Sequence, residues 1–268
     1  MSCTVLGPGL LGCFLGAAAN AAAVITGPSG HVRSQRVQLP NGQVREWAPL
    51  PSPQVRDRQQ ILVCCRCPDT PWHTLPDNCL VAQNGLGQQR NTIACFLGVD
   101  QDTDGVIHAT GPQPRLVLQQ SDPGWADVIA AWRDAGIIVD LVANAEAARW
   151  EKTILNATVG PLCLATGLSM GEVWDDPALR SLCLQATREG DAIARANNVS
   201  IPAGLEQRAV TFFGAMSDHR PSLLNDPREL PWVLDVLLDT AAKHGCEAEA
   251  LGSIHRRCHS GQVRVLQT

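Results

Sequence analysis

The spacing of hydrophobic and polar positions changes character once along the chain. Up to about residue 142, short apolar runs alternate with turn residues: ILVCCRC, CLVAQNG, TIACFLGV, GVIHATG, PRLVLQQ and GIIVDLV. Apolar runs of this length, bounded by Gly, Pro, Asn and Asp, read as buried strands. One helix, Gly124 to Asp134, is predicted between the last two, entered through Asp122-Pro123. Beyond Asn144 the apolar spacing becomes helical, over Glu146 to Ala165, Pro177 to Asn197, Ala203 to Met216 and Leu230 to His244. No strand, internal repeat or low-complexity segment accompanies these helices. The pattern predicts an α/β domain over residues 1–143 and an all-helical domain over residues 144–268.

The start of the chain needs separate treatment. The first charged side chain is Arg33, and Gly9 to Ile25 form a long apolar, alanine-rich run. Such a run invites a signal-peptide or membrane reading. Against it stand the missing basic n-region, the interruption at Asn20 and the preference for Gly and Ala over Leu and Ile. The motif CTVLGPGLLGCFLG at 3–16 explains the run better. Cys3 to Leu6 form a short strand, and Gly7, Gly9 and Gly12 follow in GxGxxG spacing. An apolar helix comes next, then a second strand, Ala22 to Thr26. In a dinucleotide fold, Gly7 permits the tight turn, Gly9 lets the backbone approach a pyrophosphate, and Gly12 lets the helix pack closely on the strand. The helix N-terminus offers its N–H groups to the phosphates. Gly12 and Gly16 also fit a membrane GxxxG spacing, but the strand–loop–helix–strand context favours a Rossmann-type domain.

The residues after the second strand bear on the cofactor. An NAD-binding domain places Asp or Glu there for the ribose 2′-hydroxyl. Here GPSGHVRSQR stands at 27–36, and no acid occurs before Glu46. Ser29, Arg33 and Arg36 are available for a 2′-phosphate, which favours NADP. The alternative is a solvated loop whose arginines bind nothing.

Composition narrows the class. The chain has 268 residues, 45% hydrophobic and 18% charged, with a net charge of -5, so it can bury substantial cores. No basic stripe stands out, so neither nucleic acid nor a membrane is an expected partner. The eleven cysteines are odd in number and irregularly spaced. Cys64, Cys65 and Cys67 lie in the ILVCCRC run, where a buried strand is expected. His255, Cys258 and His259 come closest to a metal half-site, but no second half accompanies them. A reduced, cytoplasmic protein without structural metal is expected.

Residues 149–161, RWEKTILNATVGP, carry the main candidate chemistry. Lys152 and Asn156 lie one helical turn apart on one face. Taken alone, Lys152 reads as a surface lysine lying along its helix. Asn84-Gly85 in AQNGLGQ, taken alone, reads as a turn dipeptide.

In combination these features are more specific. LGPGLLG, AQNGLGQ at 82–88, DGVIHATG at 104–111, NAEAARWEKTILN at 144–156, PSLLND at 221–226 and a final helix ending AAKHG at 245 follow in one order. In this order they resemble the ketopantoate reductase family, over nearly the whole chain. The resemblance implies NADPH-dependent reduction of 2-dehydropantoate to pantoate, for pantothenate and coenzyme A synthesis. It implies cofactor contacts at Gly7, Gly9, Leu10, Leu11, Gly12, Arg33, Arg66 and Asn84, and substrate contacts at Asn84, Asn156 and Ser222. Lys152 matches the family's general acid. An ammonium beside a carbonyl oxygen stabilises the charge that develops on hydride addition and can donate the proton. Ser222 also reads as a turn or cap residue. The family's glutamate in the next helix has two alignments here. Counting forward from Ser222 reaches Leu234; counting back from His244-Gly245 reaches Glu229. Glu229 is preferred because a loop deletion costs less than losing the carboxylate. Asp235 is the reserve, and Glu229 also reads as a helix first-turn acid.

Three departures mark this chain. Gly160-Pro161 stands where the family usually has a second asparagine before proline, Arg66 stands where it often has lysine, and the first helix and the loop before Glu229 look shortened. They leave the fold and nucleotide binding little affected and open the substrate question, since a lost hydrogen bond alters discrimination. Two other readings stay open: a reductase of another 2-keto acid, and an NADP-binding module without catalysis. A homodimer is also left open.

Overall fold

The computed structural model describes residues 3–26, 34–51, 60–87, 91–120, 123–216 and 219–260. The chain divides into two compact units, residues 1–83 with 88–145, and residues 84–87 with 146–268. The short 84–87 turn thus belongs to the helical unit.

The first unit is built on a parallel sheet of β1 (Thr4–Leu6), β2 (Ala23–Ile25), β5 (Leu50–Pro51), β6 (Ile61–Val63) and β7 (Leu80–Val81), in the order β5-β2-β1-β6-β7. Its central strands are apolar apart from the buried Thr4 of β1, because both faces are covered. Leu62 faces one core, with Val5 and Val24, while Ile61 and Val63 face the other, with Leu75 and Val81. A second sheet joins β3 (Gln35–Gln38), β4 (Val44–Trp47), β8 (Ala94–Gln101), β9 (Val106–Gln119) and β10 (Ile138–Val142).

Helix α1 (Leu10–Ala18) packs on β1 and also on β3, β4, β8 and β9. All its residues from Gly12 to Ala18 are buried. A helix covered all round must be apolar all round. This accounts for the alanine-rich run that resembles a membrane segment. Among the described residues no helix is long and apolar enough to cross a membrane. Arg45 on β4 reaches back to the Ala17 carbonyl at 2.5 Å, and Trp47 Nε1 donates to the Ala21 carbonyl at 2.9 Å, so the end of α1 is tied by side chains of the second sheet. Helix α2 (Ala126–Asp134) adds Trp132, fully buried, whose Nε1 donates to Leu15 O at 3.0 Å.

Several elements differ from the sequence reading. The β3–β4 hairpin stands where the sequence pattern marked no strand, and Arg36 lies exposed on β3 opposite Glu46. Ser29 and Arg33 lie outside the described residues, as does Asp122. GVIHATG and PRLVLQQ form one strand, β9. Its pairing with β8 skips at Phe96/Gly98, so residues 111–114 bulge. Pro112 and Pro114 fall within that bulge, where no ladder N–H is required. ILVCCRC is strand only to Val63; Cys64, Cys65 and Cys67 follow it, Cys67 opening a 3₁₀ turn to Asp69.

The second unit centres on α3 (Glu146–Thr166), buried on successive turns from Trp150 to Ala165 and packed against α4 (Met170–Asp175), α5 (Pro177–Ala196) and α8 (Glu249–His259). Gly190 of α5 meets Ile154 so closely that a Cβ would lie 2.7 Å from its Cγ2. Helix α6 (Leu205–Gly214) and α7 (Val236–His244) complete it. The helix expected from Leu230 begins as a π-turn, Pro231–Asp235, before α7. The helix ending at His244 is not the last: α4 and α8 are additional to the sequence reading.

Candidate active site

In the first unit the strand–loop–helix start has the geometry its glycines require. Gly7 has φ +93°, and a Cβ there would lie 2.4 Å from the Cys65 nitrogen. At Gly12 a Cβ would lie 2.1 Å from the Gly7 carbonyl oxygen. At Gly9 nothing stands within 4 Å of a Cβ, so that face of the loop is open. Gly9 is the N-cap of α1 and gives no side-chain cap. The first-turn N–H groups therefore lie at an open, helix-dipole end, suited to a phosphate. Leu10 is exposed and Leu11 half-buried, at the mouth of the same turn.

Beside the loop lie the thiols that follow β6. Burial and the neighbouring Cys95 and Cys65 push the Cys64 thiol well above its ordinary range, and burial raises Cys65. Neither is poised as a thiolate nucleophile. Arg66 follows them, half-buried, as the N-cap residue of the Cys67–Asp69 turn. Gln83 secures this loop. Its amide donates to the Cys65 carbonyl and to Thr70 Oγ1, and its oxygen faces Cys67 Sγ at 3.5 Å. The sequence around Gln83 carries no signal of this role, which depends on contacts to Cys65, Cys67 and Thr70.

In the second unit the predicted polar residues converge. Asn156 Nδ2 donates to Asn84 Oδ1 at 2.8 Å, and Asn84 Nδ2 donates to Ser222 Oγ at 3.3 Å. Three segments distant in sequence thus meet in one hydrogen-bonded chain. Asn84 is set by its turn: Leu86 N–H donates to the Trp232 carbonyl at 3.0 Å, and Gly85, at φ +92°, leaves room for that carbonyl, which would lie 2.2 Å from a Cβ. The QNG element is therefore more than a turn dipeptide, since its glycine is demanded by contact with the π-turn. Ser222 opens a 3₁₀ turn, and its carbonyl accepts from the Asn225 and Asp226 N–H groups, leaving the hydroxyl directed to Asn84.

Lys152 lies one turn before Asn156 on α3, half-buried, with its Nζ 4.9 Å from the centre of the Phe212 ring. Glu229 is buried at the end of the 3₁₀ turn Pro227–Glu229, which packs on the Ser222 turn. It is not in the first turn of an α-helix. Asp226 between them is held by Arg228, whose Nη2 and Nε lie 2.7 and 2.9 Å from its oxygens. Asp235, the reserve candidate, sits on the π-turn with an oxygen 3.3 Å from His255 Nε2 of α8, within ion-pair range though outside hydrogen-bond alignment. Gly160 faces the Ser222 turn, where a Cβ would stand 3.8 Å from Pro221 Cβ and Leu223 Cδ2.

Residues 144–262 match the family model described as ketopantoate reductase PanE/ApbA C terminal. This chain resembles the ketopantoate reductases. A curated 2-dehydropantoate 2-reductase of Halobacterium salinarum is 26% identical over 262 residues, covering 84% of this chain and 86% of that protein. The ketopantoate reductase likeness extends to the whole fold. The crystal structure of 2-dehydropantoate 2-reductase from Methylococcus capsulatus superposes with a TM-score of 0.79 at 18% identity, covering 100% of this chain and 99% of that one. A D-mandelate dehydrogenase structure with NADH and anilino(oxo)acetate gives a TM-score of 0.80 at 14% identity, with 98% of each chain covered. The α/β architecture, a Rossmann-type domain followed by a helical domain, is thus shared with enzymes of more than one name.

Proposed function

We propose that the chain is a nicotinamide-dependent oxidoreductase that reduces a 2-keto acid, with 2-dehydropantoate as its substrate and NADPH as its reductant. The observation that carries this reading is the Asn156–Asn84–Ser222 chain with Lys152 one turn away on α3. Amides and a hydroxyl in this arrangement can hold carboxylate and hydroxyl groups. Lys152 lies on the same helix face to serve the carbonyl oxygen.

The open loop at Gly7, Gly9 and Gly12 fits a dinucleotide pyrophosphate. When bound, the nicotinamide would supply the hydride for C2 of the keto acid. Lys152 gives its proton to the developing alkoxide and regains one from water, so the product is the 2-hydroxy acid. Asn84 and Asn156 orient each other and the substrate, and Ser222 holds a substrate oxygen. Glu229, buried beside the Ser222 turn, is the carboxylate that orients substrate hydroxyls. Arg66 and Arg33 favour the 2′-phosphate of NADPH, as does the lack of any acid between Ala22 and Arg45. The helical domain acts as the substrate and catalytic half, the first domain as the NADP-binding half. A cytoplasmic enzyme, working as a homodimer, fits this role; one structure of similar fold is described as a dimeric ketopantoate reductase from Staphylococcus aureus.

One observation favours a second reading. Gly160 stands where the family's second asparagine is expected, and its nearest neighbours are the apolar Pro221 and Leu223. Apolar surroundings in place of an amide suit a 2-keto acid with an apolar branch, and the D-mandelate dehydrogenase of similar fold was solved with an aryl keto-acid analogue, anilino(oxo)acetate. Turnover of NADPH and of NADH against ketopantoate and a panel of branched and aryl 2-keto acids separates the two. The first reading expects ketopantoate with NADPH to give the highest kcat/KM. Preference for an apolar keto acid, strengthened in G160A and reversed in G160N, supports the second. No turnover on any keto acid, with NADPH bound, overturns both.

A further inference from the structure

Helix α6 makes two neighbouring contacts with the stretch of α3 that carries Lys152. Glu151, buried, accepts from Arg208 Nε and Nη2, both at 2.8 Å. Arg208 also donates to the Ala203 and Pro202 carbonyls at 2.7 and 3.0 Å. This bidentate pair fixes the start of α6 against α3. One turn further along α6, Phe212 sets its ring under Lys152, 4.9 Å from Nζ to ring centre. The ring is itself held. Phe213 meets it edge-on at 5.6 Å and 72°, and Trp174 of α4 packs on Phe213 at 5.2 Å.

We propose that Phe212 is a positioning residue for Lys152: its ring face holds the ammonium in place and in its charged form. The proposal rests on the reading of Lys152 as proton donor. An aromatic face attracts a cation through its quadrupole. Unlike a carboxylate, it cannot take the proton that the reaction needs. The carboxylate next in sequence, Glu151, is already bound by Arg208. The charged groups on the elements around this stretch include, among the described residues, Glu146 and Arg149 of α3, Glu206 of α6, Glu172 and Asp175 of α4, and Arg220, Asp226, Arg228 and Glu229 in the segment around Ser222, where Asp226 is bound by Arg228. Because the ring favours the charged amine, its removal lowers the lysine pKa and frees the side chain to wander.

Lys152 and Lys243 are the two lysines of the chain, so a spectrum of [13C]lysine-labelled protein reads Lys152 directly, with K152R assigning it. The Lys152 ε-methylene signal should lie upfield of that of Lys243 through the ring current. In F212L this displacement should vanish and the titration midpoint of Lys152 should fall by about half to one pH unit. F212W should keep both properties. In turnover, F212L should lower kcat about tenfold with little change in KM, since misplacement of a proton donor is felt in the transition state, and F212W should restore kcat. Identical Lys152 shifts and midpoints in wild type and F212L overturn the proposal. Keto-acid reduction that survives K152A overturns the proton-donor reading instead, and the spectra still decide the ring contact.

Discussion

Asn156 and Asn84, separated by 72 residues in sequence, share a 2.8 Å hydrogen bond, and the second amide passes the connection on to Ser222. Each amide fixes which way the other points. Under the proposed function, a substrate meeting these side chains would find donors and acceptors already oriented, without the cost of ordering them.

The first prediction concerns this pairing. N156A and N84A should each lower kcat/KM for the preferred keto acid by about ten- to a hundredfold, with NADPH affinity unchanged within about threefold for N156A. The double variant should be far from additive, because either single change already releases its partner. Steady-state kinetics and cofactor titration check this. Additive effects would show that the two amides act separately.

A second prediction contrasts two glycines of the 84–87 turn. Both have positive φ, +92° at Gly85 and +100° at Gly87, but only Gly85 would drive a Cβ into the Trp232 carbonyl. G87A should cost only the backbone strain, about 1 kcal/mol. G85A should cost clearly more, about 3 kcal/mol or greater, and should disturb Asn84. Urea unfolding of the two variants gives the comparison.

A third concerns α8, which starts at Ala248 without a side-chain cap of its own. Glu189 of α5 supplies it, accepting from the Ala250 and Leu251 N–H groups at 2.9 Å each. E189A should therefore destabilise the helical domain by about 1–2 kcal/mol. Hydrogen exchange should rise first in α8; uniform exchange along the domain would contradict the cap.

The thiols make a pH prediction. Burial pushes Cys3 and Cys13 up to about 11, and Cys163 and Cys183 up to about 12, from 9.0. In the unfolded chain these thiols ionise through about pH 9, while the native protein keeps them protonated. Their contribution is complete below pH 9 and is lost as pH rises toward 11 and 12. The urea midpoint should fall between pH 8 and pH 10.5, in a chain that has no tyrosine to confuse the window. At pH 8 the native thiols should react with a disulfide reagent far more slowly than in urea.

Much of this was legible because the informative signals were local. The GxGxxG spacing fixed where a turn, an open backbone and a close helix contact would fall, and Gly7, Gly9 and Gly12 have those surroundings in that order. The helical spacing of Lys152 and Asn156 likewise put them on one face of α3. What escaped the sequence depends on partners far along the chain. The β3–β4 hairpin buries chiefly Val37 and Trp47, too few residues for an alternating pattern to emerge. Helix α8 has no start signal because its cap lies on α5. The joining of two apolar runs into β9 depends on a bulge that excuses two prolines. Gln83 and Phe212 act through tertiary contacts, to the loop after β6 and to Lys152, and neither is marked by its own neighbours in sequence.

The most direct test of the account is the reduction rate of wild type and K152A with NADPH and the preferred keto acid. Loss of a general acid removes about a hundred- to ten-thousandfold in rate. The expected result is a fall in kcat of that size with NADPH binding intact. A K152A protein that binds NADPH and turns over substrate at the wild-type rate would contradict the account.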